Sequence, residues 1–208
     1  MKIEVPEYAV QDEVWVDPEK TALLVIDMQN DFVKRGGSLP VPDAEATVPA
    51  IERLLGRARA NGIHIIYSQD THRPGDPEWK IWPEHCREGS WGWEIVAEVA
   101  PGVDDTVLRK ARFDVFHGTP LDHLLRLWGV NTLVLCGTVA NIGVLCTAAS
   151  AALRCYGVVI PRDAISALDP FDLEASMRQV VFVFAGRLTT ADGLRCAESV
   201  SALRQPGR

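Results

Sequence analysis

The chain has 208 residues, 47% of them apolar, with 28 acidic side chains against 21 Lys and Arg and a net charge of −7. That length suits one substantial domain spanning 1–208 with a real buried core. The acidic balance argues against a nucleic-acid binder, which needs a basic stripe, and the five cysteines (Cys86, Cys136, Cys146, Cys155, Cys196), odd in number and without a CxxC pair, argue against a disulfide scaffold or zinc ribbon.

The amino-terminal stretch MKIEVPEYAVQDEVWVDPEK is acidic and mixed, unlike a signal peptide. A cytoplasmic protein that handles a small molecule is expected. The first strand is expected over 22–27, ALLVID, a continuous apolar run ending in an acid. Residues 44–60 place Val48, Ile51, Leu54, Leu55 and Ala58 at helical spacing and stop at Asn61-Gly62. IHIIYSQD (63–70) repeats the design of the first strand. Residues 71–92 are rich in Pro, Gly and Trp and follow neither period; a loop of that length in a compact domain is more often functional than idle. TVLR before Lys110 reads as a short strand.

PLDHLLRLW (120–128) reads as a helix that ends at Gly129. NTLVLCG (131–137) reads as a strand, 142–155 as a helix, and GVVIP (157–161) as a strand. Residues 131–153 carry no charge, but Gly137, Asn141 and Gly143 interrupt them and the two halves differ in period, so a buried strand plus a buried helix is expected rather than a membrane span. The last helix opens with Asp169 as N-cap and Pro170 in its first turn, and closes by Gly186. Unalternated strands interleaved with helices predict an α/β fold, a three-layer α/β/α arrangement with a mostly parallel sheet flanked by helices. In such sheets ligands bind beyond the carboxyl ends of the strands. That rule puts Asp27, Asp70 and the 137–143 turn on one rim.

Each candidate has a chemical and a plain structural reading. Asp27 is a strand-end cap or a catalytic carboxylate. Asp70, His72 and His85 are one carboxylate and two imidazoles, a set suited to zinc, iron or manganese with positions left for water; otherwise Asp70 and His72 cap a loop while His85 stacks among Trp79, Trp82 and Trp91. Those three tryptophans either wall a substrate pocket or form aromatic core beneath the loop. Lys110 holds a substrate or helps a proton move, or is a surface lysine beside Arg109 and Arg112.

VIDMQNDF, QDTH, WPEHC, VLRKARFDVF, GTVANIGV and PRDAISA occur in this order between about Thr21 and Asp192, and together they resemble the isochorismatase-like hydrolases, also called cysteine hydrolases. Nicotinamidases and related amidases look most similar, because they share the DxH and WPxHC segments. The resemblance implies an Asp–Lys–Cys triad with the acid on Asp27 and the amine on Lys110, a metal on Asp70, His72 and His85, and a non-proline cis peptide at Thr138-Val139. It also implies backbone N–H donors from Val139 and Gly143 for a substrate oxyanion, a small amide as substrate, and assembly into homodimers or homotetramers.

The cysteine of the family's elbow falls on Gly143, which has no side chain. Three readings follow. Cys146, roughly 5 Å further along the helix axis, substitutes as nucleophile; the chain hydrolyses without a nucleophile, as true isochorismatases with a glycine elbow do, using Asp27; or an amidase relative has lost its thiol and keeps a binding pocket. A binding protein without catalysis is the rival of another class.

Overall fold

The computed structural model describes residues 4–197. Strands β1 (Val14–Val16), β2 (Thr21–Ile26), β3 (His64–Asp70), β4 (Thr106–Lys110), β5 (Thr132–Thr138), β6 (Gly157–Pro161), β7 (Ile165–Ser166), β8 (Arg187–Thr189) and β9 (Leu194–Cys196) alternate with helices α1 (Asn30–Val33), α2 (Ala44–Ala60), α3 (Leu121–Leu127), α4 (Leu145–Leu153) and α5 (Pro170–Phe182). The main sheet runs β4-β3-β2-β5-β6-β8, with β7 added beside β5, and its pairings are parallel throughout. β1 and β9 form a small parallel pair of their own.

The central strand β2, TALLVI, is buried at all six positions, which an unbroken apolar run requires when helices cover both faces. α2 buries the expected stripe of Val48, Ile51, Leu54, Leu55 and Ala58 and packs on β2, β3 and β5. α5 starts as expected: the Asp169 carboxylate accepts from the Phe171 N–H at 2.7 Å, with proline in the first turn.

One element differs from expectation. The helix expected over 142–155 opens with a wider turn at Ala140–Val144, where the Val144 N–H reaches back five residues to the Val139 carbonyl at 3.2 Å; regular α4 begins only at Leu145. A single widened turn leaves the apolar spacing of the sequence almost unchanged, so periodicity does not reveal it. Thr138-Val139 is a cis peptide. No helix among the described residues is long and apolar enough to cross a membrane.

Candidate active site

Parallel register brings the candidate residues together. Ile26 pairs with both Ser68 and Gly137, and Asp70 pairs with Lys110, so the residues that end β2, β3, β4 and β5 share one rim. Glycine at 137 is obligatory: its φ is +111°, and a Cβ there would lie 2.1 Å from the Ile26 carbonyl oxygen. Asp27 itself has φ +50°, an uncommon conformation for a residue with a side chain. Its main chain is held by N–H bonds to the carbonyl and hydroxyl of Ser68.

The side chains of Asp27, Asp70 and Lys110 are buried and joined. Lys110 Nζ lies 2.8 Å from Asp27 Oδ2 and 3.2 Å from Asp70 Oδ1. Ser68 Oγ donates to Asp27 Oδ1 at 2.7 Å. Burial raises the Asp27 pKa above the usual aspartate range; Lys110 opposes this and Asp70 adds to it. Asp70 moves the other way: burial works against its charge, but Lys110 and then His72 and His85 hold it well below the ordinary value. Burial also disfavours the Lys110 cation, yet the two carboxylates outweigh it and keep the ammonium charged. Of the two acids Asp27 is therefore the better proton acceptor.

On the far side of Asp70 lies a cluster of Asp70, His72, Glu78 and His85, all buried, whose ligand atoms lie within 4.8 Å of one another. Asp70 Oδ2 is 2.9 Å from His72 Nε2 and 3.4 Å from His85 Nε2; Glu78 Oε1 is 3.8 Å from both. Each ring is oriented from behind. His72 Nδ1 meets Asp76 Oδ2 at 3.0 Å, and His85 Nδ1 meets the Pro83 carbonyl at 2.7 Å, so both Nε2 atoms face the centre. This is the outer support that metal-binding histidines ordinarily have. Glu78 Oε2 is buried without a hydrogen-bond partner. Two imidazoles and two carboxylates converging within this distance fit a divalent cation, with Glu78 facing the histidines through Oε1 and Arg112 Nη1 3.7 Å from its Oε2.

Glu78 was not singled out by the sequence. Its available signal was an acid in the loop between the two histidines, but no fixed spacing marks it. Ser68 was missed too, as an ordinary strand residue. Asp31 and Gln29 position the site. Asp31 Oδ2 accepts from the Cys86 N–H at 2.7 Å and Oδ1 from the Ser38 N–H at 2.9 Å, and Cys86 O in turn accepts from the His72 N–H at 3.0 Å. Gln29 bonds the backbone of Asp70 at both its N–H and its carbonyl.

The three tryptophans differ in their surroundings. Trp79 Nε1 donates to the His85 carbonyl at 3.2 Å, and its ring sits 6.0 Å from that of His72; it backs the cluster. The Trp82 N–H donates to the Glu78 carbonyl at 3.1 Å. Trp91 is half exposed and lines a separate cavity with Asn30, Lys34 and Glu98.

Gly143 stands opposite Asp27. A Cβ built on it would lie 3.3 Å from Asp27 Oδ2, 3.2 Å from Ile26 Cγ2 and 3.5 Å from the Thr138 carbonyl. Cys146 is half buried in α4, and its thiol pKa is raised by burial and by Asp114, with Lys110 a lesser opposing influence. A thiol so disposed is a poor nucleophile.

The chain belongs to the isochorismatase family: it matches the Isochorismatase domain over residues 21–192. It is 30% identical to the ureidoacrylate amidohydrolase RutB of Methylorubrum extorquens over 93% of this chain and 89% of that protein. In structure it is similar to N-carbamoylsarcosine amidase from Thermoplasma acidophilum (36% identity, TM-score 0.77, 83% of this chain and 97% of that one). It is also similar to the pyrazinamidase of Pyrococcus horikoshii in complex with zinc (28% identity, TM-score 0.74, 86% and 99%).

Proposed function

We propose that the chain binds a small polar amide at the rim of Asp27, Lys110 and the 138–143 turn. It keeps the amide-hydrolysing apparatus of its family with the attacking thiol replaced by the hydrogen of Gly143. The observation that carries this reading is the direction of position 143: its absent side chain would start 3.3 Å from Asp27 Oδ2. Relatives named as amidohydrolases and amidases support the amide.

With cysteine at 143 the chemistry follows from the geometry. Asp27 takes the thiol proton, and the sulfur forms a bond to the amide carbonyl carbon. The oxygen takes the electron pair and rests on the N–H groups of Val139 and residue 143. The C–N bond then breaks, the proton passes from Asp27 to the leaving ammonia, and water releases the acid. Lys110 holds Asp27 ionised and oriented. A divalent cation on Asp70, His72, Glu78 and His85 (zinc, iron or manganese) would supply Lewis acidity toward a polar atom of the substrate. As it stands, the chain keeps the binding groups and lacks the covalent step.

The experiment is Gly143→Cys against a panel of small amides, read as ammonia release. Turnover appearing in the variant and absent from the unaltered chain is expected. A folded variant with a titratable thiol at 143 that releases no ammonia refutes the reading. Turnover by the unaltered chain that survives Cys146→Ala and disappears with Asp27→Asn would replace it with hydrolysis that needs no cysteine.

A further inference from the structure

Asp70, His72, Glu78 and His85 are each at most 4% exposed, so a cation reaches them only when a neighbouring group moves aside. A cavity of about 560 Å³ lies against the cluster, with Asp76, Lys110 and Arg112 in its wall. Each of the three touches the cluster. Asp76 Oδ2 meets His72 Nδ1 at 3.0 Å, Lys110 Nζ is 3.2 Å from Asp70 Oδ1, and Arg112 Nη1 is 3.7 Å from Glu78 Oε2. They differ in freedom. The side chains of Lys110 and Asp76 are 1% and 11% exposed, whereas that of Arg112 is 41% exposed. Arg112 is the group of the three with room to move.

The charges point to the same residue. Four carboxylates, Asp27, Asp70, Asp76 and Glu78, meet two permanent cations. Lys110 is taken by Asp27 and Asp70. Arg112 is the arginine or lysine paired with Asp76 and Glu78 among the described residues. Its hold on the two is unequal. It bonds both Asp76 oxygens, at 3.1 and 3.3 Å, but Glu78 Oε2 lies beyond hydrogen-bond reach and has no hydrogen-bond partner. Arg112 is therefore anchored on Asp76 and only leans on Glu78, whose buried charge it offsets at a distance. A divalent cation competes with it for that charge and is repelled by it on approach. Arg73 and Arg109, on the same wall, are held elsewhere. Both pair with Glu88, at 2.8 and 3.3 Å, and Arg109 lies 4.9 Å over the Trp93 ring.

We propose that Arg112 is the gate of the metal-type cluster: it offsets the charge of Glu78 while the cluster is empty, and a divalent cation entering by this cavity takes Glu78 from it. The proposal rests on the cation reading above and adds how the site is filled.

The test is cobalt(II) uptake by the metal-free full chain, followed by stopped-flow absorbance and by equilibrium titration, in the unaltered chain, Arg112→Gln and Arg112→Lys. Removing one unit charge beside a dication should make Arg112→Gln bind about fivefold or more tighter, with faster uptake. Arg112→Lys keeps the charge and should stay within about threefold of the unaltered affinity. Equal or weaker affinity in Arg112→Gln, or an unchanged uptake rate, overturns the gate. Such a result leaves the cation site standing. No cobalt bound by the unaltered chain or by either variant removes the cation site and the gate together. A second measurement needs no variant: arginine-selective dicarbonyl labelling of the unaltered chain with and without zinc, read by peptide mass spectrometry. Arg112 released from Glu78 should label about twofold or more faster with zinc, while Arg73 and Arg109 stay unchanged as internal controls. Equal labelling of Arg112 in both conditions overturns the proposal.

Discussion

Lys110→Met removes the ammonium that lies 2.8 Å from Asp27 and 3.2 Å from Asp70. Stripping one partner from a buried ion pair costs about 3–5 kcal/mol, a large part of the roughly 5–15 kcal/mol that keep a domain folded. The two orphaned acids are not equivalent. Asp70 retains His72 and His85, whereas Asp27 retains only the Ser68 hydroxyl among its side-chain partners. Relief therefore comes from a proton on Asp27, whose pKa burial already raises. Without Lys110 that pKa rises further above the unfolded value of about 3.9. Between the two values the folded variant holds a proton that the unfolded chain releases, so its stability falls as pH rises through the folded pKa. Urea titrations at about pH 5 and about pH 8 should show a loss in the range above at the higher pH and a loss smaller by about 1 kcal/mol or more at the lower one. Asp27→Asn in the same chain should recover much of the difference. A loss under about 1 kcal/mol at the higher pH, or an equal loss at both, would refute the idea that Lys110 neutralises a buried acid pair.

In Gly143→Cys the acid limb of the rate profile should lie above the ordinary aspartate range, because Asp27 must be ionised to take the thiol proton; Ser68→Ala, which removes a donor to the charged form, should move it higher, and a limb that stays in place contradicts the assignment. Zinc at about a hundredfold excess over its dissociation constant should stabilise the chain by about 2.7 kcal/mol, seen as a thermal shift that His85→Ala abolishes; no shift in the unaltered chain counts against the cluster as a metal site. Asp31→Asn should cost about 1–3 kcal/mol by spoiling the bond to the Cys86 N–H and should speed proteolytic cleavage within 71–92; unaltered cleavage would mean that Asp31 does not tether the loop. Cys146→Ala should leave the turnover of Gly143→Cys within about twofold, as expected of a small core residue, and a complete loss would restore Cys146 as a nucleophile.

Much of this was legible before any coordinates. The unalternated run ALLVI identified a strand covered on both faces, and the stripe from Val48 to Ala58 identified the helix laid over it. The strand-end rule was enough to gather Asp27, Asp70 and the 137–143 turn on one edge. Lys110 was different. Beside Arg109 and Arg112 it reads, taken alone, as surface charge, and burial in register with Asp70 is what separates it from them. Glu78 and Ser68 escaped because neither sits at a diagnostic spacing: one reaches the histidines through a loop, the other reaches Asp27 across a strand pair. Trp93 escaped for the same reason, its contact with Arg109 being made between segments far apart in the chain.

By itself the sequence determined the kind of fold and the absence of a side chain at 143, because apolar periodicity and residue identity are local properties. Only the tertiary structure decided which acid receives the proton, which carboxylate completes the metal-type cluster and where the guanidinium groups gather. Those outcomes depend on burial and on distances of a few ångströms between separate strands and loops, and a linear order of residues fixes neither.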